Sequence, residues 1–148
     1  MAIDSTLYDF AVRHSWHRLS RMYNQRALEH DITIPIGFIL MIVEKEGTPS
    51  TQLGPKMGME PTSLSRTLKT MEDKGYIIRT EDAKDKRKVL ISLTEAGISM
   101  RKIVKDFIIG FNEKIATKVT PKKMAIFLEV INQVDELIDE EYKTLNLQ

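Results

Sequence analysis

The chain has no cysteine. No disulfide, thiolate zinc site or catalytic thiol is therefore available to it. It has no apolar run near the ~18 residues that span a bilayer. The first residues lack the basic, apolar and small-residue succession of a signal peptide, so the expected location is cytoplasmic. There is no glycine-rich phosphate loop, no Ser/His/Asp arrangement and no carboxylate pair with a metal partner, which argues against an enzyme. Histidine is scarce, at three residues. His14 and His17 are spaced i, i+3 and face the same way, a spacing that permits a metal. With no third ligand nearby, neither a metal nor a cofactor is expected. His30, beside Asp31, reads as a helix-end histidine.

What is present fits one soluble domain, or one domain with a dimerisation extension. The chain has 148 residues, 42% hydrophobic and 29% charged, with a net charge of +1. The distribution of charge is more informative than its sum. Ser50 to Leu93 holds nine Lys and Arg against six Asp and Glu, whereas the remainder holds 13 against 15. The basic excess is concentrated in one stretch.

That stretch reads helix, turn, helix, strand, charged loop, strand. Its second helix is bracketed by Pro61, suited to a first helical position, and Gly75, suited to the left-handed residue past a helix end. Leu64, Leu68 and Met71 recur at helical spacing and define a buried stripe. The opposite face carries Thr62, Ser65, Arg66 and Lys69. Small hydroxyls and cations with no large apolar group suit a helix lying in a DNA major groove. Tyr76 to Thr80 is β-prone, and Val89, Ile91 and Leu93 alternate with Leu90 and Ser92. Between them Glu81 to Lys88 forms a hairpin tip too polar to bury. The order of these pieces predicts a mainly α fold with a small β-hairpin wing: a winged helix-turn-helix DNA-binding lobe plus a helical dimerisation region.

The stretch resembles the MarR family of transcriptional regulators. The matching residues are Leu53, Met57-Gly58-Met59-Glu60-Pro61, Ser63-Leu64-Ser65-Arg66 and Leu68. They continue through Lys74-Gly75-Tyr76-Ile77, Arg79, Asp82, Asp85-Lys86-Arg87 and Leu93-Thr94-Glu95-Ala96-Gly97. The wing followed by Leu-Thr-x-x-Gly is the most specific part. One departure is Gly54-Pro55, where the family usually follows the leucine with alanine. It predicts a short or distorted first helix in the motif. The resemblance implies one MarR-type domain over 1–148. The lobe would cover 34–94, with the helix-turn-helix near 51–75 and the wing near 76–93. Residues 1–33 and 95–148 would form the dimerisation region.

The flanks are helical. A long helix is predicted from Asp4 to about His30, with Tyr8, Val12, Trp16, Leu19 and Tyr23 in one stripe and Ile3, Leu7 and Phe10 widening it. A central helix is predicted over Ile34 to Glu46. Thr48 to Ser50 reads as a turn, with Ser50 or Thr51 capping the next helix. Thr94 is placed to cap a helix running to about Lys118, in which Gly110 would allow a close helix crossing. Thr120 and Pro121 open a last helix striped by Phe127, Ile131, Val134, Leu137, Ile138 and Tyr142. Lys122 and Lys123 carry the wrong sign for a helix start, so they cost stability or serve a contact. These apolar flanks predict an isologous two-fold homodimer that reads a palindromic operator.

The resemblance implies a repressor released from double-stranded DNA by a small-molecule effector. Thr62, Ser63, Ser65, Arg66 and Lys69 are the groove-helix candidates. Arg87 matches a wing-tip arginine placed in or near the minor groove, and Asp85 is expected to orient it through an ion pair. Lys84, Lys86 and Lys88 are expected on phosphates. Trp16, Met22, Tyr23, Phe38, Met41 and Phe111 are the candidate effector pocket, although apolar stripes more often mean core. The alternative is a winged-helix protein-interaction module that never meets DNA; the basic wing speaks against it.

Overall fold

The computed structural model describes residues 6–147. The predicted helix start at Asp4 and the apolar Ile3 lie outside them. In chain order the elements are α1 (Tyr8–Leu28), α2 (Ile34–Ile42), β1 (Thr48–Pro49), α3 (Ser50–Met57), α4 (Pro61–Asp73), β2 (Ile77–Glu81), β3 (Val89–Leu93), α5 (Glu95–Ala116) and α6 (Pro121–Thr144). The mainly α fold with a small hairpin is the one predicted. The chain divides into two compact units, Met1–Lys105 and Asp106–Gln148.

The core of the first unit is built on α2. Its sequence is apolar on nearly every side, and Ile36, Gly37, Ile39 and Leu40 are buried. Leu53 of α3, the stripe Leu64, Leu68 and Met71 of α4, and Ile77 and Ile91 of the sheet close around it. Each large apolar side chain so buried stabilises the fold by roughly 1.5–3 kcal/mol. Against expectation, α2 stops at Ile42 and not Glu46. Val43 turns extended, and the Glu44 N–H donates to the Thr48 hydroxyl at 2.9 Å instead of to a helical carbonyl. From α5, Arg101 donates to the Val43 and Met41 carbonyls at 3.0 and 3.1 Å. It satisfies acceptors that the helix end leaves open.

Thr48 and Pro49 are not the turn the sequence suggests. They form a short strand, pairing Thr48 with Ile91 and Pro49 with Leu90, so the sheet order is β1-β3-β2. Neither Ser50 nor Thr51 caps α3: its N-cap is Pro49, with no side-chain cap bond. Pro55 lies inside this eight-residue helix, not in its first turn. It supplies no N–H there, and Gly58 ends the helix left-handed at φ 61°.

The Leu-Thr-x-x-Gly motif explains itself in space. The Thr94 N–H donates to the Tyr76 carbonyl at 3.0 Å, and its hydroxyl donates to the Gly75 carbonyl at 2.5 Å. The same oxygen accepts from the Gly97 N–H at 3.0 Å, the N-cap bond predicted for α5. A Cβ at position 97 would stand 2.1 Å from the Tyr76 carbonyl oxygen, so only glycine fits. Thr94 thus fixes the start of α5 to the exit of α4.

The second unit takes the last part of α5 and all of α6. As predicted, Thr120 caps α6, its hydroxyl accepting from the Lys123 N–H at 3.3 Å. No residue of α6 is buried within the chain. A Cβ added at Gly110 would meet nothing within 4 Å among the described residues.

Candidate nucleic-acid interface

α4 begins at Pro61 as its first helical residue and ends as predicted, with Gly75 left-handed at φ 76°. Its buried stripe locks one face against α2, α3 and β2. The predicted outer face follows from helical periodicity: Thr62, Ser65, Arg66 and Lys69 are all exposed, as is the groove-helix candidate Ser63 on its flank. The Thr67 and Thr70 hydroxyls turn inward, donating to the Ser63 and Arg66 carbonyls at 3.0 and 3.1 Å.

The hairpin follows α4 after only three residues. β2 and β3 pair antiparallel from Ile77 opposite Leu93 to Glu81 opposite Val89. The tip is an ordered turn. The Asp82 N–H donates to the Lys88 carbonyl at 3.0 Å, and the Lys88 N–H donates to the Asp85 carbonyl at 2.9 Å. Two aspartates shape it further. The Lys84 N–H donates to Asp82 Oδ1 at 2.7 Å, a bond that holds the Asp82 carboxyl below the usual carboxylate range. The Arg87 N–H donates to Asp85 Oδ1 at 3.1 Å. Asp85 therefore reaches the backbone of Arg87, and no ion pair with its guanidinium forms. This corrects the expected contact: the short aspartate side chain completes an Asx turn two residues on more readily than it spans to a guanidinium.

Charge pairing sorts the basic residues of this stretch into two groups. Lys56 pairs with Glu44, Lys69 with Asp73, Lys74 with Asp31 and Arg79 with Glu72. Arg66, Lys84, Lys86, Arg87 and Lys88 are exposed and form no salt bridge among the described residues. Lys69 is the predicted groove cation that falls in the paired group; its hydrogen bond to Asp73 raises its pKa. Lys74 also donates to the Asp31 backbone carbonyl at 2.9 Å, tying the exit of α4 to the loop after α1. Sequence reasoning missed this tie, as it missed Arg101, because both partners are distant along the chain.

The six predicted pocket residues are scattered by exposure. Trp16 and Phe38 are exposed, while Met22, Tyr23 and Met41 are half-buried in the first unit. Partial burial pushes the Tyr23 phenol pKa up. Phe111 is half-buried and belongs to the second unit. A concavity of about 330 Å³ on α1 is lined by Phe10, Arg13, His14 and His17, and by none of those six. It places both histidines on one face, as their spacing predicts. No group of three or more His, Asp or Glu able to hold a metal occurs among the described residues. No helix among them is long and apolar enough to cross a membrane.

Comparison with known proteins returns one consistent description. Residues 32–89 match the model of the MarR family. The HTH-type transcriptional regulator TtmR of Methylorubrum extorquens (strain PA1) is 31% identical over 101 residues, covering 68% of this chain and 51% of that protein. This chain thus spans about half the length of that relative. The HTH-type transcriptional regulator SarZ of Staphylococcus haemolyticus (strain JCSC1435) is 30% identical over 103 residues, covering 64% of this chain and 70% of that one. Among solved structures, that of the S. aureus MepR–DNA complex superposes with a TM-score of 0.79 at 19% identity, over 88% of this chain and 97% of the other. At that identity the likeness concerns the fold alone.

Proposed function

We propose that this chain, which belongs to the MarR family, is a sequence-specific double-stranded DNA-binding transcriptional regulator without enzymatic activity, working in the cytoplasm. The observation that carries the reading is the sorting of cations. In the 50–93 stretch, four of the basic residues are paired with acids. The others, Arg66 on the outer face of α4 and Lys84, Lys86, Arg87 and Lys88 on the wing, are exposed with no salt bridge among the described residues. A stretch that pairs its other four cations and leaves these five open is suited to a polyanion. The relatives named as HTH-type transcriptional regulators, and a neighbour captured on DNA, support the same reading.

In this mechanism α4 enters the major groove. Thr62, Ser63, Ser65, Arg66 and Lys69 reach base edges or the flanking phosphates, Lys69 exchanging Asp73 for DNA. Arg87 enters or borders the minor groove at the wing tip, whose turn Asp85 holds in shape. Lys84, Lys86 and Lys88 bind phosphates and supply salt dependence. Residues 1–33 and 95–148 form the dimerisation region of a two-fold homodimer. It presents two copies of α4 to major grooves ~34 Å apart on a palindromic operator. The chain acts as a repressor. A small molecule that binds better to a dimer with wrongly spaced lobes draws the population off DNA. Trp16, Met22, Tyr23, Phe38, Met41 and Phe111 are proposed to contribute to its site.

Arg87→Ala tests the wing. Operator affinity is expected to fall about tenfold or more, the scale of one to a few kcal/mol for a good DNA contact, while the dimer stays folded by circular dichroism. Unchanged affinity removes the wing from the mechanism. Lys86→Ala is expected to weaken specific and non-specific duplexes alike and to lower the salt slope by about one. Loss of sequence discrimination instead would move Lys86 from phosphate to base. A gel shift that finds no duplex bound would favour a protein-interaction module.

A further inference from the structure

The exit of α4 is held from two directions. Thr94, at the start of α5, binds the carbonyls of Gly75 and Tyr76. Lys74, the C-cap of α4, reaches the other way. Its ammonium donates to the Asp31 carboxylate at 2.6 Å and to the Asp31 backbone carbonyl at 2.9 Å. The two residues are 43 positions apart in sequence, so no local periodicity accounts for the contact.

Asp31 is a fixed acceptor. It stands left-handed at φ 53°, a conformation that aspartate tolerates better than most residues with a side chain. The corner around it closes through backbone bonds. The His30 and Ile32 N–H groups donate to the Ala27 carbonyl at 3.0 and 3.1 Å, and the Asp31 N–H donates to the Leu28 carbonyl at 3.2 Å. Ile32 then enters the core. α1 lies against α2 without burying any residue completely. Apolar contact has no direction of its own, whereas the two bonds from Lys74 do. They therefore fix an angle between α1 and the lobe that packing leaves loose.

Leverage makes that angle matter. α4 has 13 residues and is about 20 Å long. A turn of about 10° at its exit moves its first residues by about 3.5 Å, close to the rise of one base pair. We propose that Lys74 and Asp31 are positioning residues for DNA recognition: their contact sets the angle between α1 and the lobe, and so the separation of half-sites that a dimer accepts. The assignment rests on the DNA-binding homodimer proposed above. The Asp31 side chain is 95% exposed, so the pair adds little to stability. What it contributes is aim, and in this role neither residue touches base or phosphate.

The test varies the separation. The full chain is titrated onto a palindrome that the wild type selects from random duplexes, onto versions with the half-sites one base pair closer or further apart, and onto an isolated half-site. Wild type is expected to lose about tenfold or more for either displacement. Asp31→Asn keeps a residue suited to the left-handed corner, and Lys74→Met keeps an unbranched side chain; both remove the ion pair. Both are expected to weaken the native separation by about fivefold, the scale of a coupling residue that touches no ligand. They should bring the three separations within about threefold of one another and leave the isolated half-site within about twofold. Lys74→Arg, still able to donate to both Asp31 oxygens, is expected to keep the wild-type preference. Helix content by circular dichroism should be the same in all three. The direction of change separates aim from charge. If Lys74 bound phosphate, Lys74→Met would weaken every duplex while Asp31→Asn, more positive, would tighten them. That result, or a preference for separation unchanged in both variants, overturns the positioning role alone. A wild-type chain that selects no duplex, or that binds half-sites as single chains as tightly as palindromes, overturns the regulator reading on which it rests.

Discussion

Met71 on α4 and Phe127 on α6 are both large apolar side chains on amphipathic helices. The first is completely buried and the second is 54% exposed. The contrast holds element by element. α2, α3 and α4 each bury part of their apolar face inside the chain, whereas α1 and α6 bury none. Exposed single apolar residues are ordinary, but a long stripe on a 24-residue helix is not. The lobe is complete within one copy. α6 leaves its apolar stripe exposed.

Breaking the self-sufficient region carries the largest expected effect. Gly97→Ala forces a Cβ against the Tyr76 carbonyl, where backbone and not a flexible side chain must yield. A loss of about 3 kcal/mol or more is expected in urea unfolding. Its counterpart is Phe127→Ala. Self-association is expected to fall about tenfold or more, as for an interface anchor, with the lobe's own fold and helix content unchanged. If Phe127→Ala instead unfolds the chain, the contrast between the regions is wrong.

Intermediate effects fall on the joints of the lobe. Thr94→Ala removes the cap of α5 and the bond to the Gly75 carbonyl, with an expected cost of about 1–2 kcal/mol in the same assay. Pro55→Ala restores an N–H inside α3 and removes the ring from its interior. It is expected to raise stability by about 1 kcal/mol, below the full cost of an interior proline because α3 already accommodates it.

The smallest effect concerns the exposed pair that joins the exit of α4 to the loop after α1. The hydrogen bond and charge of Lys74 hold the Asp31 carboxyl below the usual range. The same contact with Asp31 raises Lys74. A lowered carboxylate contributes stability above its unfolded-state pKa and loses it as pH falls through the folded value. A raised lysine contributes below its unfolded value and loses it as pH rises through the folded one. The pair is therefore fully present between the ordinary carboxylate and lysine ranges. Lys74→Met is expected to flatten the acid limb of the stability profile slightly, since solvent screens the pair. An unaltered profile would show that the tie does nothing for stability.

Sequence legibility follows the range of each interaction. The brackets Pro61 and Gly75, the stripe Leu64-Leu68-Met71 and the caps Thr94 and Thr120 act within a few residues. Each was readable because local chemistry alone dictates it. β1 was not, because two residues have no periodicity and Thr48 becomes a strand only through Ile91. The early end of α2 was hidden for the same reason: Val43 and Met41 are capped by Arg101, far along the chain. In the candidate site, residue types and exposure were legible. The division of its cations into paired and open, and the turn role of Asp85, were not, because these depend on which acids the fold brings near.

The central claim is that two self-sufficient lobes, joined through helices that are not, read DNA together. The most direct measurement selects duplexes from a random pool with the full chain and determines how many chains bind each. The account predicts an enriched palindrome holding two chains, with half-sites about one helical turn apart, and an isolated half-site bound at least about a hundredfold more weakly, the scale set by losing one lobe's contacts. Binding of single chains to half-sites as tightly as to the palindrome, or no enriched sequence at all, would contradict it.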